Sequence, residues 1–453
     1  MKWSLSSWKT RKVNQEIFYQ DTLHLHKILN TLSSYPPLVS IREITQLKKN
    51  IAEASKKNRF IIQAGDCAES FSHCHPQVIA QKVKILFQLA TIIANENQKP
   101  VTQIGRIAGQ YSKPRSKSFE MVNDNKIFSF RGENIHSTEA SVATRSPDPK
   151  RLERGYFFSS LTLNFIRTLN NSYFNQILQP QSWQLQKPQG IEQRVEEYQN
   201  LSKKILTTTS SVIPNGINFL RSKNNFFTSH EGLHLPLEQG FTKKAANNKH
   251  YNLSAHTLWL GERTRDISGA HVEYFRGIDN PVGIKIGPSI SADELCELIR
   301  TLNPLNSCDK IMLIPRLGHS KVINILPKLI ESVENKSFNV CWLSDPMHGN
   351  TYKTSLGQKT RNLSHITSEL RSSIQIHKEL GSHLAGVHLE LTGENVTECI
   401  GGIENLKPED LQRNYTSLCD PRLNYTQSIE VAYDFSSMLK KTDTRKSFTL
   451  KSR

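Results

Sequence analysis

Short apolar runs recur along the chain, and each run is followed at once by polar or charged residues. Such runs predict buried strands, and the helix-like periodicity of most gaps, for example 293–302 and 321–333, predicts connecting helices. The candidate strands are 60–63, 101–104, 226–229, 257–260, 282–286, 311–314, 340–343 and 386–391. Strand and helix alternating eight times indicate an α/β fold of the (β/α)8 TIM-barrel class.

The regions outside this alternation predict the domain organisation. Residues 1–58 are polar and mostly helical in pattern, and we interpret them as an N-terminal extension. The gap from 105 to 225 is too long for one crossover. Within it, 147–170 and 191–207 favour helices, and 171–190 is a loop rich in Asn, Gln and Pro. We therefore expect one barrel domain over 1–453, with accessory helices inserted at about 147–225 and a flexible basic tail at 440–453.

Composition narrows the class of protein. The hydrophobic share of 37% over 453 residues supports a large core. There is no run of about 20 apolar residues, and the first residues lack the apolar stretch of a secretion signal. We expect a cytoplasmic protein with no membrane partner. The seven cysteines are odd in number and irregular in spacing, which argues against a disulfide scaffold.

The net charge of +17 permits a nucleic-acid partner, but the positive residues are scattered and the chain is also rich in Asn. We interpret the charge as a compositional bias and expect no nucleic-acid partner. A basic active site for anionic substrates is also compatible with this charge.

Potential metal ligands lie at or just beyond the ends of predicted strands, where the catalytic groups of barrels lie. Asp66 and Cys67 follow the first strand, Asp345 and His348 follow the seventh, His388 and Glu390 are in the eighth, and Cys419 and Asp420 come beyond it. These three strands are neighbours once a barrel closes. A thiolate, an imidazole and two carboxylates suit Mn2+, Co2+, Fe2+ or Zn2+.

A second cluster of metal-type residues comprises Cys67, His73, Cys74 and His75. Its close spacing could indicate zinc, but no second ligand pair of the zinc-finger type accompanies it. We favour a helix-surface location for His73 and His75.

Cationic residues also gather at the predicted strand ends. Arg and Lys match the oxygens of phosphate and carboxylate groups, so this clustering predicts ligands with several negative charges. The residues are Arg106, Lys113, Arg115, Arg263, Arg265, Lys285 and Arg316. Lys285 lies inside the apolar run at 282–286, where an unpaired charge is costly, so a functional role is favoured there.

Several motifs resemble the class II (plant-type) 3-deoxy-D-arabino-heptulosonate 7-phosphate (DAHP) synthase family. They are QAGDCAES at 63–70, GR at 105–106, KPRS at 113–116, WLGERT at 259–264, DPMHGNT at 345–351, ELTGENVTEC at 390–399 and CDPRLN at 419–424. The resemblance extends from Trp3 to about Leu439. Its opening Trp pattern starts at Trp3, so we expect no plastid transit peptide.

The resemblance implies a metal-dependent TIM-barrel transferase that condenses phosphoenolpyruvate with erythrose 4-phosphate, the first step of the shikimate pathway. It implies a divalent cation, most simply Mn2+, and a homodimer or homotetramer. The implied metal ligands are Cys67, His348, Glu390 and Asp420, and the implied phosphoenolpyruvate contacts are Arg106, Glu262, Arg263, Lys285 and Arg316. Lys113, Arg115 and Ser116 are implied at the erythrose 4-phosphate, and Lys285, His348 and Cys67 as catalytic groups.

Some regions depart from the family pattern and leave alternatives open. The segment 229–238 is a looser match, and the region 147–225 matches poorly, so feedback regulation by aromatic amino acids stays open. A related synthase of secondary metabolism, such as an amino-sugar variant or a phenazine supply enzyme, would use the same motifs. A nucleic-acid-binding protein and a metal-dependent phosphohydrolase are the alternatives from other classes.

Overall fold

The computed structural model describes residues 2–449, with gaps at 123, 170–172, 174–175, 178, 184, 186–194 and 216–225. Eight parallel strands form a closed barrel. They are β1 (Phe60–Gly65), β2 (Val101–Arg106), β3 (Phe226–Glu231), β4 (Thr257–Leu260), β5 (Val282–Ile286), β6 (Ile311–Pro315), β7 (Cys341–Ser344) and β8 (Leu384–Glu390). The barrel prediction is confirmed, and each predicted apolar run contributes one strand.

The strands follow one another around the barrel in chain order, and β8 closes it by pairing with β1. This order makes β7, β8 and β1 neighbours. The last residue of β1, Gly65, is in register with Glu390 of β8 and with Arg106 of β2. The carboxyl ends of these strands are therefore level, and side chains from distant parts of the sequence meet there.

Helices surround the strands. They are α1 (Thr22–Ser34), α2 (Ile41–Ser55), α3 (Pro76–Asn97), α4 (Lys150–Thr168), α5 (Val195–Asn215), α6 (Leu235–Phe241), α7 (Ala270–Phe275), α8 (Ala292–Leu302), α9 (Val322–Asn335), α10 (Leu363–Glu379) and α11 (Tyr425–Thr449). Short hairpins pair Phe119–Val122 with Asn125–Phe128, Thr242–Lys244 with His250–Asn252, and Tyr352–Lys353 with Lys359–Thr360.

Helix α2 closes the amino end of the barrel. Its start is defined by a capping box, in which Ser40 and Glu43 satisfy each other's backbone N–H groups. Leu47 and Ile51 of this helix pack with side chains that point into the barrel, such as Met312, and all three are fully buried. Because this end is filled with apolar side chains, the carboxyl end is the one that remains for chemistry.

Helix α3 packs against α11 and strand β2 on the outside of the barrel. Among the described residues it is the one helix long and apolar enough to cross a membrane by length and composition, and 72% of that stretch is buried inside the protein. Such burial is typical of a core helix.

The long gap between β2 and β3 contains helices at two predicted places. Helix α4 covers most of 147–170, and α5 covers 195–207 of the predicted 191–207 and continues to Asn215. Most of the predicted loop at 171–190 lies outside the described residues. Helix α11 continues to Thr449, into the segment assigned to the tail. The domain boundaries and the flexibility of the tail stay predictions.

Candidate active site

The loops at the carboxyl end of the barrel enclose an open cavity of about 930 Å³. Its lining includes four acidic residues, Glu120, Glu231, Glu262 and Asp420. Nine of the lining residues are basic, namely Lys113, Arg115, Lys117, Lys126, Arg263, Lys285, Arg316, Lys353 and Lys359. A cavity with this excess of positive charge is suited to polyanionic ligands.

One group of side chains at this end has the spacing of a metal site. The ligand atoms of Cys67, Glu390 and Asp420 all lie within 4.8 Å of one another. Cys67 follows β1, Glu390 ends β8, and Asp420 lies in the loop before α11, with its backbone N–H 3.3 Å from Sγ of Cys67. The structure therefore brings three of the predicted ligands together.

The fourth predicted ligand, His348, reaches this group through Glu390. Its Nε2 lies 3.0 Å from Oε1 of Glu390, although His348 is not within 4.8 Å of all three of the other ligand atoms. The other ring nitrogen, Nδ1, lies 2.8 Å from Oδ2 of the buried Asp345. The carboxylate of Asp345 orients the ring of His348 and favours a proton on Nδ1. Nε2 is then unprotonated and can act as a metal ligand.

A positive group already lies among the negative ones. The ammonium of Lys113 contacts Sγ of Cys67 and lies 2.5 Å from Oδ2 of Asp420 and 3.9 Å from Oε1 of Glu390. Burial lowers the pKa of Lys113, but the charges of Asp420, Cys67 and Glu390 outweigh this and hold it well above its usual value. Lys113 marks the point where the donors converge and where a cation is stabilised.

The protonation of the donors is consistent with a metal site. Burial raises the pKa of Glu390, but His348, Lys113, Arg361 and Arg106 together hold it well below its usual range. Burial is the main cause that raises the pKa of the Cys67 thiol, so the thiolate needs a cation beside it. A thiolate, two carboxylates and an imidazole fit a borderline divalent cation.

Buried arginines hold Glu390 from behind. Arg106 donates to Oε1 of Glu390 at 2.9 Å, to the carbonyl oxygens of Asp66 and Cys67, and contacts Nε2 of His388 at 2.6 Å. Gly65 permits this reach, because it has a φ of +146° and a Cβ there would lie 2.8 Å from the carbonyl oxygen of Arg106. Arg106 does not line the cavity. Its predicted contact with phosphoenolpyruvate therefore stays a prediction, while its observed contacts position Glu390.

The other half of the cavity presents groups for anions. Nζ of Lys285 lies 3.3 Å from both ring nitrogens of His348, and Arg316 donates to the carbonyl oxygen of His348 at 3.0 Å. Burial lowers the pKa of Lys285 to about 8. Glu262 accepts from the backbone N–H of Gly287 at 2.5 Å and so ties the loop after β4 to the end of β5.

The three residues predicted at the sugar phosphate also line the cavity. Ser116 accepts a hydrogen bond of 2.6 Å from the guanidinium of Arg263. Arg115 forms a partly exposed ion pair of 3.5 Å with Glu120. Lys113 contacts the donor group formed by Cys67, Glu390 and Asp420. The segment 113–116 therefore extends from this donor group to the outer part of the cavity.

A profile of the Class-II DAHP synthetase family matches residues 3–436. The chain belongs to this family. A phospho-2-dehydro-3-deoxyheptonate aldolase from Neurospora crassa is 41% identical over 450 residues, which cover 95% of this chain and 93% of that protein. The Streptomyces coelicolor protein of the same name is 36% identical over 447 residues, covering 96% of each chain.

Solved structures add little to this assignment. A truncated DAHP synthase from Thermotoga maritima matches with a TM-score of 0.38 and 12% identity, covering 85% of this chain and 88% of that one. At this distance the similarity carries no argument about the site.

One carboxylate of the cavity was not predicted from the sequence. Glu231 ends β3 and lines the cavity, and its Oε1 is buried with no hydrogen-bond partner among the described residues. Burial raises its pKa, against the charges of Lys285, Lys113 and Arg106. Its position just beyond the predicted strand 226–229 was the available signal, but the segment 229–238 matches the family pattern only loosely.

Lys359 and Arg361 were also missed. Nζ of Lys359 lies 2.8 Å from Oδ1 of Asp420, and Nη2 of the buried Arg361 lies 2.7 Å from Oε2 of Glu390. They lie at the end of the hairpin after β7, and no local pattern in the sequence distinguishes them.

The second cluster of metal-type residues, Cys67, His73, Cys74 and His75, does not converge on one point. Nδ1 of His73 lies 3.4 Å from Nζ of Lys82, and Sγ of Cys74 lies 3.7 Å from the carbonyl oxygen of Phe158. Among the described residues, Cys67 groups instead with Glu390 and Asp420. The interpretation that set this cluster aside agrees with these contacts.

Proposed function

We propose that the protein condenses phosphoenolpyruvate with D-erythrose 4-phosphate and water to give DAHP and phosphate, at the entry to the shikimate pathway. The observation that carries this proposal is that two features adjoin in a class II DAHP synthetase family member. The donor group Cys67, Glu390 and Asp420, with the adjacent His348, borders the cavity through Asp420 and His348, and nine basic residues line the same cavity. A metal-type donor group beside an anion-binding cavity is what two phosphorylated substrates require.

The proposed cofactor is a divalent cation, most simply Mn2+, held by Cys67, His348, Glu390 and Asp420. When bound, it supplies Lewis acidity that polarises the aldehyde oxygen of the sugar phosphate. Asp345 orients the ring of His348, and Arg106 and Arg361 keep Glu390 ionised and aimed at the site.

Lys285, Arg263 and Arg316 are proposed to hold the phosphate and carboxylate of phosphoenolpyruvate. They set its methylene carbon against the aldehyde carbon, where the new carbon–carbon bond forms. Water adds to the other alkene carbon, and phosphate leaves by cleavage of the bond between that carbon and the bridging oxygen. Developing negative charge is stabilised by the same cations, which are preorganised by the barrel.

The proton transfers need groups with free capacity. Lys285 lines the cavity 3.3 Å from the ring of His348 and is suited to relay a proton to the developing alkoxide, whereas His348 has one ring nitrogen at Asp345 and the other assigned to the metal. Glu231 is the cavity carboxylate with a raised pKa and an uncommitted oxygen. We assign it the proton released by the attacking water.

The test removes metal with a chelator and follows phosphoenolpyruvate with and without erythrose 4-phosphate, before and after Mn2+ is added. We expect consumption only when sugar phosphate and metal are both present, with one phosphate released for each molecule of DAHP formed. Consumption of phosphoenolpyruvate without erythrose 4-phosphate would support the phosphohydrolase. Consumption without the metal would refute the ligand assignment. The amino analogue of the sugar phosphate, assayed in parallel, distinguishes the synthase of secondary metabolism.

We further propose a cytoplasmic location and a homodimer or homotetramer. Fractionation of cells and the mass of the purified protein in solution test these two statements. Either result leaves the assignment of the site unaffected.

A further inference from the structure

A carboxylate outside the cavity connects two of the loops that form it. Glu369 lies on α10 and is 1% exposed. Its Oε1 accepts the backbone N–H groups of Leu317 and Gly318, both at 3.0 Å, in the loop after β6. Its Oε2 accepts a hydrogen bond of 2.7 Å from the side chain of Asn350, in the loop after β7.

These contacts are adjacent to functional residues. Leu317 directly follows Arg316, and Asn350 lies two residues after His348. Arg316 also donates to the carbonyl oxygen of His348 at 3.0 Å. A displacement of either loop therefore changes the relative positions of a proposed anion-binding group and a proposed metal ligand.

Asn350 makes the connection specific. Its Oδ1 accepts the backbone N–H of His319 at 2.9 Å, and its Nδ2 donates to the carbonyl oxygen of Pro346 at 2.8 Å as well as to Glu369. The amide is therefore fixed in one orientation, because a flip would lose all three contacts. Glycines at 318 and 349 let the two loops touch, since a Cβ on Gly349 would overlap the backbone of Gly318.

The segment that leads into helix α10 also contacts a proposed metal ligand. Nη2 of Arg361, two residues before the helix starts, lies 2.7 Å from Oε2 of Glu390. Arg361 thus contacts Glu390, and Glu369 in the helix contacts the loops after β6 and β7.

We propose that Glu369 is a positioning residue that locks the loops after β6 and β7 into one unit and so sets the spacing between Arg316 and His348. The inference rests on the proposed function, because it takes these two residues as the phosphoenolpyruvate and metal contacts. Glu369 touches neither substrate nor metal, and it acts through the backbone of one loop and the amide of the other.

Glutamine at position 369 keeps the shape of the side chain but removes the carboxylate and one of its two acceptor oxygens. In E369Q the oxygen of the introduced side chain can still accept from one loop, but its NH2 group would face the NH2 group of Asn350. Since Asn350 cannot turn without losing His319, the connection to the loop after β7 is lost. We expect E369Q to weaken phosphoenolpyruvate binding by up to about tenfold, which corresponds to the loss of one buried hydrogen bond.

The experiment measures the dissociation constant of phosphoenolpyruvate by calorimetry, together with KM, kcat and thermal unfolding. The matched control is E379Q, an exposed glutamate at the end of the same helix. A positioning role predicts a raised dissociation constant and KM for E369Q in the folded protein, with E379Q unchanged. Unchanged binding in folded E369Q would overturn the inference, whatever its melting temperature.

The reciprocal variant tests the pairing directly. N350D places a second carboxylate against Glu369 and should weaken binding similarly. In the double variant E369Q/N350D, the introduced amide can donate to the introduced carboxylate, and we expect at least about half of the lost binding free energy to return. If the losses of binding free energy in the two single variants simply add in the double variant, the direct contact is refuted. If E369Q alone does not fold, recovery of the folded, binding protein in the double variant supports the contact, and the absence of recovery refutes it.

The wild-type protein distinguishes failure of the proposed function from failure of the positioning role. If it binds no phosphoenolpyruvate and forms no DAHP, the proposed function fails. If it does both and the variants behave like E379Q, only the role of Glu369 fails.

Discussion

Two buried lysines lie near opposite ends of the barrel and differ in what their ammonium groups contact. Lys285 is in β5 and 6% exposed, and Lys310 immediately precedes β6 and is 7% exposed. Burial lowers the pKa of both, to about 8 for Lys285 and about 7 for Lys310. By burial and pKa alone, either would qualify as a functional lysine.

Their hydrogen bonds separate them. At the amino end, Lys310 donates to the carbonyl oxygens of Ile278 and Asn280, the latter at 2.8 Å, so its donors are engaged by backbone. At the carboxyl end, Lys285 has longer contacts of 3.3 Å to His348 and 3.4 Å to Asp345, and it lines the cavity. Free hydrogen-bonding capacity, more than a shifted pKa, therefore distinguishes the proposed functional lysine from the structural one.

Two buried cysteines at opposite ends of the barrel also differ in what their side chains contact. Cys341 begins β7 at the amino end and packs among apolar side chains, and burial raises its pKa to about 12. Cys67, at the carboxyl end, faces Glu390 and Asp420. Both thiols are buried, but only Cys67 has neighbours that a metal could share.

The largest expected effect comes from the cysteine pair. Cys67→Ala should lower kcat/KM about a thousandfold, because Lewis-acid stabilisation contributes several kcal/mol. Cys341→Ala should keep full activity and lose about 1 kcal/mol of unfolding free energy through a small cavity. Steady-state kinetics, bound metal and urea unfolding measure these effects. Full activity and full metal content in Cys67→Ala would remove the assigned ligand.

The second largest effect is expected from the two buried lysines. Lys285→Met should lower kcat/KM for phosphoenolpyruvate about fiftyfold, because a charged donor to the substrate is lost. Lys310→Met should leave kcat/KM unchanged and lower the unfolding free energy by about 2 kcal/mol, because two carbonyl oxygens lose their donor. Equal losses of activity in the two variants would break the distinction between the barrel ends.

A smaller effect is expected from pH. The pKa of Lys285 is lowered to about 8, so its ammonium is lost as the pH rises through this value in the free enzyme. The ammonium form binds the anion, and kcat/KM for phosphoenolpyruvate should therefore fall above pH 8, by up to about tenfold per pH unit. The decline should be absent in Lys285→Met. A decline that persists in that variant would assign the titration to another group.

No effect on catalysis is expected from the titration of Lys310, which should appear in stability alone. Its folded pKa of about 7 lies below the ordinary value of 10.5, so the unfolded chain binds more protons between these values. Stability of the wild type relative to Lys310→Met should therefore rise from pH 7 to pH 9, by on the order of 1 to 2 kcal/mol. Urea unfolding at both pH values measures this difference, and a constant difference would contradict the shifted pKa.

Much of this arrangement was predictable from local pattern. Every apolar run became a strand, including 226–229, because period and burial are written in neighbouring residues. A set of metal-type donors was predictable because strand ends meet at one end of a barrel, and the family resemblance selected Cys67, Glu390 and Asp420 within that set. Glu369 was not, because it lies mid-helix and its partners are in two other loops.

The sequence by itself determined the order of strands and the chemical types at their carboxyl ends, because both follow from short-range periodicity and from the geometry of a closed barrel. Only the tertiary structure decided which charged groups are free to act. Arg106 and Glu390 meet although 284 residues separate them, and that contact engages an arginine which the motif placed at the substrate. Whether a donor is engaged depends on partners distant in the chain, which local pattern does not encode.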